Sequence, residues 1–405
     1  MEKKIFHIDM DSYFATCEQQ ANPFLRGKPI AISGHPDSRT VVSAASVEAK
    51  KLGIKSAMPI HEARRICPEI LFIPGDFDKY VHITKKIINI FLSFTEQVEV
   101  TSIDEAFIDV TPIIRLHGGE INIAKKIKSE LKKQVGDWMT CSIGIAPNKL
   151  IAKLSSGLDK PDGLTQVTQK NIIPLLATTE LTALCGLGRQ TKKHLNRMGI
   201  FTLTELRQYK LEDLVKEFGE MGLQLHNMSW GRGSDYVSSY YDETQEKSMG
   251  HQITLPKNTI DLEYLSSVLL KLSEKASRRM RKADLVGRVI SVSIRYNNFE
   301  GNSRQKAVNF YTNDGYQIFN IARNILKTFL IEHPVRLIGV SVSQLTSFDQ
   351  SQLPFTDTQK KQAILEAMDI VNNKHGEFTV QRACLLKAKG LKRDIASHGL
   401  MHKFK

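Results

Sequence analysis

The chain reads as an α+β protein built from more than one domain. Short apolar runs mix with amphipathic stretches, without the regular βαβ alternation of a parallel-sheet protein. Its 405 residues exceed one ordinary domain of roughly 100–150 residues. Apolar residues make up 41% and charged residues 24%, enough to bury a sizeable core and to exclude disorder, collagen and a disulfide scaffold.

The elements follow in order. Lys4-Ile5-Phe6-His7-Ile8 is a short apolar run that predicts a buried strand, and it ends in Asp9-Met10-Asp11. Residues 11–21 predict a helix, 41–46 a β-rich run, and 46–52 and 60–66 helices punctuated by Gly53 and Pro59. Residues 80–94 form a strongly amphipathic helix. Residues 98–103 and 107–110 predict two strands around Asp104-Glu105-Ala106, followed by a helix at 121–135 and a strand at 140–145. Composition shifts after Gly163. Residues 170–231 are mostly helical and contain Cys185-Gly186-Leu187-Gly188; 232–246 are polar and Tyr-rich, as in a linker. Strands return at 251–255, 289–296, 307–311 and 337–342, separated by helices at 261–283 and 314–332.

Composition also narrows the setting. Five cysteines (Cys17, Cys67, Cys141, Cys185, Cys384) are an odd count without CxxC spacing. That argues against zinc ribbons and disulfides, and for a reducing, cytoplasmic location. No apolar run reaches 18 residues, so no membrane span is expected, and an aspartate arrives before a signal sequence could form. The net charge is +13. Residues 271–306 hold ten basic and three acidic residues, net +7, and 374–405 hold eight basic and two acidic, net +6, so the rest sums to zero. A basic C-terminal half beside a balanced N-terminal half suits a nucleic-acid grip, with Arg278, Arg279 and Arg336 as candidates; a solvated helix face with a tail is the plainer account.

Asp9, Asp11, Asp104 and Glu105 carry the chemistry. Acids ending an apolar strand are costly unless solvated, paired or bound to a cation. Two neighbouring strands would bring Asp9 to Asp104, with Glu105 beside them, and a divalent cation would relieve their repulsion. Hard oxygen ligands favour Mg²⁺ or Mn²⁺. Two such ions about 3.5–4 Å apart serve phosphoryl displacement. Acids that merely cap turns are the alternative. A haloacid-dehalogenase phosphatase also opens on a strand with Asp-x-Asp, but its βα alternation and late acidic motif are not visible.

Five blocks resemble the Y-family DNA polymerases, nearest their bacterial polymerase IV branch. They are Ile8-Asp9-Met10-Asp11-Ser12-Tyr13-Phe14-Ala15, Lys55-Ser56-Ala57-Met58-Pro59, Ser102-Ile103-Asp104-Glu105-Ala106-Phe107, Cys141-Ser142-Ile143-Gly144-Ile145-Ala146-Pro147-Asn148-Lys149 and Leu158-Asp159-Lys160-Pro161-Asp162-Gly163. The resemblance spans about 4–345 and implies a right hand with an extra α/β little finger. The palm would be 1–18 and 76–165, the fingers 19–75, the thumb 166–231, the linker 232–246, the little finger 247–345 and a C-terminal extension 346–405. It implies that Asp9, Asp104 and Glu105, with the Met10 carbonyl, hold two Mg²⁺ ions. Tyr13, Lys50 and Lys160 would meet the nucleotide, and Phe14 would be the steric gate against a ribose 2′-OH. Val47 and Lys50 stand where the family usually has Tyr and Arg, so one hydrogen bond and a bidentate fork are lost from the triphosphate grip. Gly186 and Gly188 resemble a helix–hairpin–helix that reaches DNA phosphates through backbone N–H groups.

The implied activity is error-prone, translesion addition of dNTPs to a primer–template by a monomer without proofreading. A non-catalytic DNA-binding repair protein is the other class. Gln352-Leu353-Pro354-Phe355 resembles a sliding-clamp peptide anchored by Gln352, Leu353 and Phe355, with Gln344-Leu345-Thr346-Ser347-Phe348 as a second match. His398 and His402 have i, i+4 spacing but no other nearby ligand, and read as a solvated tail.

Overall fold

The structure is a computed structural model that describes residues 2–35, 39–242, 245–348, 356–383 and 385. Residues 2–35 and 40–242 make one unit; Arg39 and the described residues from 245 onward make a second.

The first unit runs β1 (Ile5–Met10), α1 (Tyr13–Ala21), β2 (Ile30–Ser33), β3 (Ala44–Ala45), α2 (Val47–Lys51), α3 (Ile60–Ile66), β4 (Leu71–Pro74), α4 (Phe77–Leu92), β5 (Val98–Val100), β6 (Glu105–Asp109) and α5 (Ile114–His117). It continues with α6 (Glu120–Gln134), β7 (Cys141–Ala146), α7 (Lys149–Ser156), β8 (Leu164–Gln166), α8 (Ile172–Thr178), α9 (Arg189–Arg197), α10 (Leu203–Gln208), α11 (Leu211–Phe218) and α12 (Glu220–Ser229). One sheet has the order β5-β6-β1-β7-β8, with β1 antiparallel to both neighbours.

Period-2 alternation sends the two faces of β1 to different cores. Phe6, Ile8 and Met10 pack with Ile87, Ile88 and Phe91 of α4 and Ile123, Ile127 and Leu131 of α6. Ile5 packs with Ile151, Ala152 and Leu154 of α7. A strand covered on both sides reads as a continuous apolar run, as 5–10 does. The helix α7 lies close because residue 144 is glycine: a Cβ there would stand 2.1 Å from the Ala152 carbonyl oxygen and 2.4 Å from the Ser156 nitrogen.

A small sheet, β3-β2-β4, pairs β2 parallel with β4. Its two four-residue strands, β2 and β4, are too short to show a periodicity, which is why the sequence leaves 30–33 and 71–74 unassigned. The expected strand over 41–46 is reduced to β3 and a bridge from Val41 to Pro59. The strand expected over 98–103 stops at Val100, and Glu105 belongs to β6 rather than to the turn. Residues 234–240 hydrogen-bond back to this unit, Ser234 O to Lys149 N at 2.9 Å and Tyr240 N to Glu96 O at 3.0 Å.

The second unit runs β9 (Ser248–Thr259), α13 (Leu262–Lys282), β10 (Leu285–Tyr296), β11 (Gly301–Thr312), α14 (Gly315–Leu326), β12 (Val335–Ser343), β13 (Thr346–Ser347) and α15 (Thr356–His375). The sheet order is β11-β10-β12-β9. Ile290, Val292 and Ile294 of β10 pack with Leu265, Val268, Leu269 and Leu272 of α13 and Ile318 and Ala322 of α14. The helix expected to reach 332 ends at Leu326. The other sheet face is built of small polar residues: in register stand Gln252, Gly339, Ser293 and Ser303, and beside them Gly250, Ser341, Ser291 and Gln305.

Candidate active site

The register of β1 and β6 places Asp9 directly opposite Glu105, and the Met10 N–H donates to the Asp104 carbonyl at 2.9 Å. The three acids therefore meet at one end of the sheet. Next to them the chain turns through Ser12 with φ 50°, a left-handed conformation that costs a non-glycine residue about 1–2 kcal/mol. That turn starts α1 at Tyr13 and Phe14. An open cleft is lined by Asp9, Met10, Phe14, Asp104 and Lys160 and by Ser43, Ala44, Val47, Lys50 and Ser56.

Each carboxylate has a distinct environment. Asp9 accepts from Lys160. Burial raises its pKa despite that lysine, and the charges of Glu105 and Asp104 push the same way. Glu105 has His7 at 3.8 Å and accepts from Lys153 at 2.6 Å; these partners outweigh burial and hold its pKa down to about 2. Asp104 accepts from Ser102 Oγ at 2.5 Å. Asp11 is spent on structure, accepting from Ser142 Oγ at 2.7 Å and the Asp162 N–H at 2.8 Å.

As they stand, no three His, Cys, Asp or Glu side chains among the described residues converge tightly enough to hold an ion. The donor chemistry of Asp9, Asp104, Glu105 and the Met10 carbonyl nonetheless fits a hard divalent cation. Asp9, whose pKa is raised by burial and further by two neighbouring carboxylates, is a group such a cation would relieve.

Around this centre, Lys50 projects from α2 into the cleft, where burial and then the charge of Lys160 lower its pKa. Tyr13 is 3% exposed, and its hydroxyl donates to the Tyr80 carbonyl at 2.8 Å and lies 2.7 Å from Thr84 Oγ1. It borders the cleft but directs its polar atom into the core. Phe14 stacks on Tyr80, with ring centres 4.6 Å apart and planes at 18°. The Tyr80 hydroxyl donates in turn to Glu18, which also accepts from Lys79 at 2.8 Å. His7, Lys153 and Tyr80 were missed by sequence reasoning; the only signals were one polar residue in an apolar run and a lysine four residues after Lys149.

The other expected contacts divide. Gly186 has φ 97°, which a glycine tolerates, and a Cβ on Gly188 at the start of α9 would meet nothing within 4 Å. Arg336 lies over the Phe299 ring at 4.9 Å. Arg278 donates to Asn373 at 2.7 Å, and Arg279 to the Gly250 carbonyl at 3.2 Å. Arg281 forks onto Asp369 at 2.6 and 2.9 Å. Much of the charge on α13 is thus taken up by β9 and α15. Residues 344–348 are held in the fold: Arg288 donates to Gln344 at 2.7 Å, Leu345 packs on the core, and the Phe348 N–H donates to Asp284 O at 2.7 Å. Gln352, Leu353 and Phe355 lie outside the described residues, as do His398 and His402. No helix among the described residues is long and apolar enough to cross a membrane.

Residues 8–157 match the impB/mucB/samB family, 246–355 the C-terminal domain of that family, and 182–235 the thumb domain of DNA polymerase iota. The chain is 36% identical to a DNA polymerase IV of Moorella thermoacetica over 393 residues, covering 96% of this chain and 97% of that protein. It is 35% identical to a DNA polymerase IV of Desulfatibacillum aliphaticivorans over 410 residues, covering 98% and 99%. A solved Y-family DNA polymerase chimera superposes with a TM-score of 0.75 at 27% identity, covering 85% of this chain and 99% of that one.

Proposed function

Because this chain belongs to the Y family of DNA polymerases and is a DNA-directed DNA polymerase, we propose that it is an error-prone translesion enzyme that adds dNTPs to a primer 3′-OH at two divalent ions, without proofreading. The observation that carries this reading is the pairing of Asp9 with Glu105 across β1 and β6, with Asp104 bonded to Met10, at the edge of a cleft that also holds Phe14, Lys50 and Lys160. Asp9, Asp104, Glu105 and the Met10 carbonyl would hold Mg²⁺ or Mn²⁺, which when bound neutralises phosphate charge and activates the attacking hydroxyl.

The chain's own groups do the rest. Lys160 exchanges Asp9 for the triphosphate, and Lys50 adds a second compact cation in place of an arginine fork. Phe14, backed by Tyr80, closes the space a ribose 2′-OH would need. The cleft is open, which suits a site that accepts distorted templates. Palm (1–18, 76–165), fingers (19–75) and thumb (166–231) divide the catalytic unit; 232–246 is the linker, 247–345 the little finger and 346–405 an extension. Gly186 and Gly188, the polar sheet face of the second unit and Arg336 take DNA phosphates, while Gln352, Leu353 and Phe355 take a sliding clamp. The protein acts as a cytoplasmic monomer.

Primer extension with Asp104→Asn tests the reading. The variant is expected to bind primer–template normally and to add no nucleotide with Mg²⁺. Substantial extension would refute the assignment of the acids.

A further inference from the structure

His7 is a polar residue in the middle of a strand that is otherwise apolar up to Asp9, and it is 1% exposed. Its Nδ1 hydrogen-bonds Ser156 Oγ at 2.6 Å, and its ring packs against Phe107 at 4.7 Å. The other nitrogen, Nε2, is buried with no hydrogen-bond partner. It points at Oε2 of Glu105 from 3.8 Å. Lys153 donates to that same oxygen at 2.6 Å. Both restraints start on α7, where Ser156 Oγ also lies 2.9 Å from the Lys153 carbonyl; its single hydrogen, given to Nδ1, leaves the ring proton on Nε2, facing the carboxylate. The glycine at 144 lets α7 come this close to the sheet. The other carboxylate oxygen, Oε1, has no protein donor among the described residues.

A buried nitrogen without a partner is uncommon and calls for a reason. Packing alone would be better served by an aliphatic or phenyl side chain beside Phe107. A carboxylate shift of about 1 Å would bring Oε2 within hydrogen-bond range of Nε2. We infer that His7 is a positioning residue for Glu105: steered by Ser156, it joins Lys153 in holding Oε2, so that Oε1 is presented to Asp9 and Asp104. This rests on the reading of those acids as the divalent-ion ligands. Residues that orient metal ligands typically contribute about 10–100-fold to metal affinity or activity.

The test uses His7→Phe, which keeps a ring against Phe107 and removes both nitrogens, and His7→Gln, which restores a donor at similar reach. Mn²⁺ binding to the full-length protein with primer–template and a non-hydrolysable dNTP analogue is followed by electron paramagnetic resonance, alongside kcat, the KM for dNTP and thermal unfolding. The phenylalanine variant should weaken Mn²⁺ binding and lower kcat by about tenfold, with KM little changed, and the glutamine variant should recover part of both. Unchanged Mn²⁺ affinity and kcat in His7→Phe would overturn the inference. If that variant does not fold, Ser156→Ala decides: it should weaken Mn²⁺ binding in the same direction, and unchanged binding overturns the inference. Asp104→Asn run in parallel separates the two readings. An active Asp104→Asn refutes the metal assignment itself; an inactive one beside an unaffected His7→Phe refutes only the positioning role.

Discussion

Paired arginine variants should separate DNA-facing charge from charge used within the fold. Arg295 is exposed on the polar face of the second sheet, opposite Leu337 and Gly301, and Arg336 follows nearby in β12, lying on Phe299. Neither has a carboxylate partner among the ion pairs of the described residues. Arg278 and Arg281 face Asn373 and Asp369, and the Arg281 side chain is only 7% exposed. Each phosphate contact adds about 0.9 to the slope of log affinity against log salt. Arg295→Ala with Arg336→Ala should therefore lower the slope by about 1.8. Between 50 and 200 mM salt, wild type should lose about 12-fold more affinity than this variant. Arg278→Ala with Arg281→Ala should leave the slope unchanged but lower the melting temperature, because the partly buried Asp369 loses its bidentate partner, a loss of roughly 1–3 kcal/mol. Fluorescence anisotropy of a labelled primer–template across a salt series gives both slopes, and thermal unfolding gives the stabilities. If the 278/281 pair flattens the slope as much as the 295/336 pair, the division of charge is wrong.

Three further outcomes are expected. Phe14→Ala should raise ribonucleotide over deoxynucleotide insertion, and Tyr80→Ala, which removes the surface Phe14 stacks on, should do so more weakly; single-nucleotide insertion measures both, and an unchanged ratio makes Phe14 a packing residue only. Glu105 has a folded-state pKa of about 2, below its unfolded value, so its stabilisation is present above about pH 4.5 and fades as pH falls toward 2. Urea unfolding from pH 7 to 3 should show wild type more stable than Glu105→Gln by on the order of 1–2 kcal/mol at pH 7, after allowing for its partial exposure, with the gap closing toward pH 3; a gap that widens would contradict the pairing with His7 and Lys153. Leu353→Ala with Phe355→Ala should abolish stimulation by a sliding clamp while leaving clamp-free extension intact, and persisting stimulation would exclude 352–355.

The acids were legible because an isolated carboxylate is conspicuous where an apolar strand ends. Asp9 and Glu105 then needed only the antiparallel register to meet. Their supports were not legible. His7 lies two residues from Asp9, but Ser156 lies 149 residues from His7, and nothing local pairs them. Tyr80 reads as one apolar face residue of an amphipathic helix, which it also is. A charge count puts Arg278 among grip candidates because it does not say what lies opposite; Asn373 is 95 residues beyond Arg278. By contrast, 344–348 continues from the apolar run 337–342, which already pointed to Leu345 as core, and β13 pairs Thr346 and Ser347 with the start of β10.

The near-balance of charge in the catalytic half has a related origin. Lys149, Lys153 and Lys160, on α7 and just beyond it, face Glu99, Glu105 and Asp9, on three adjacent strands. The pairs differ in how readily they open. Lys160 is the most exposed of the three lysines, with a side chain 38% accessible against 31% for Lys153 and 21% for Lys149. Solvent-exposed pairs are worth about 0–1 kcal/mol, so a triphosphate can take Lys160 from Asp9 at small cost. Lys149 is anchored twice, on Glu99 and over the Phe107 ring at 5.6 Å, and has no reason to move. On the proposed function, the helix would stay fixed against the sheet while Lys160, beyond its C-terminus, shifts from carboxylate to phosphate.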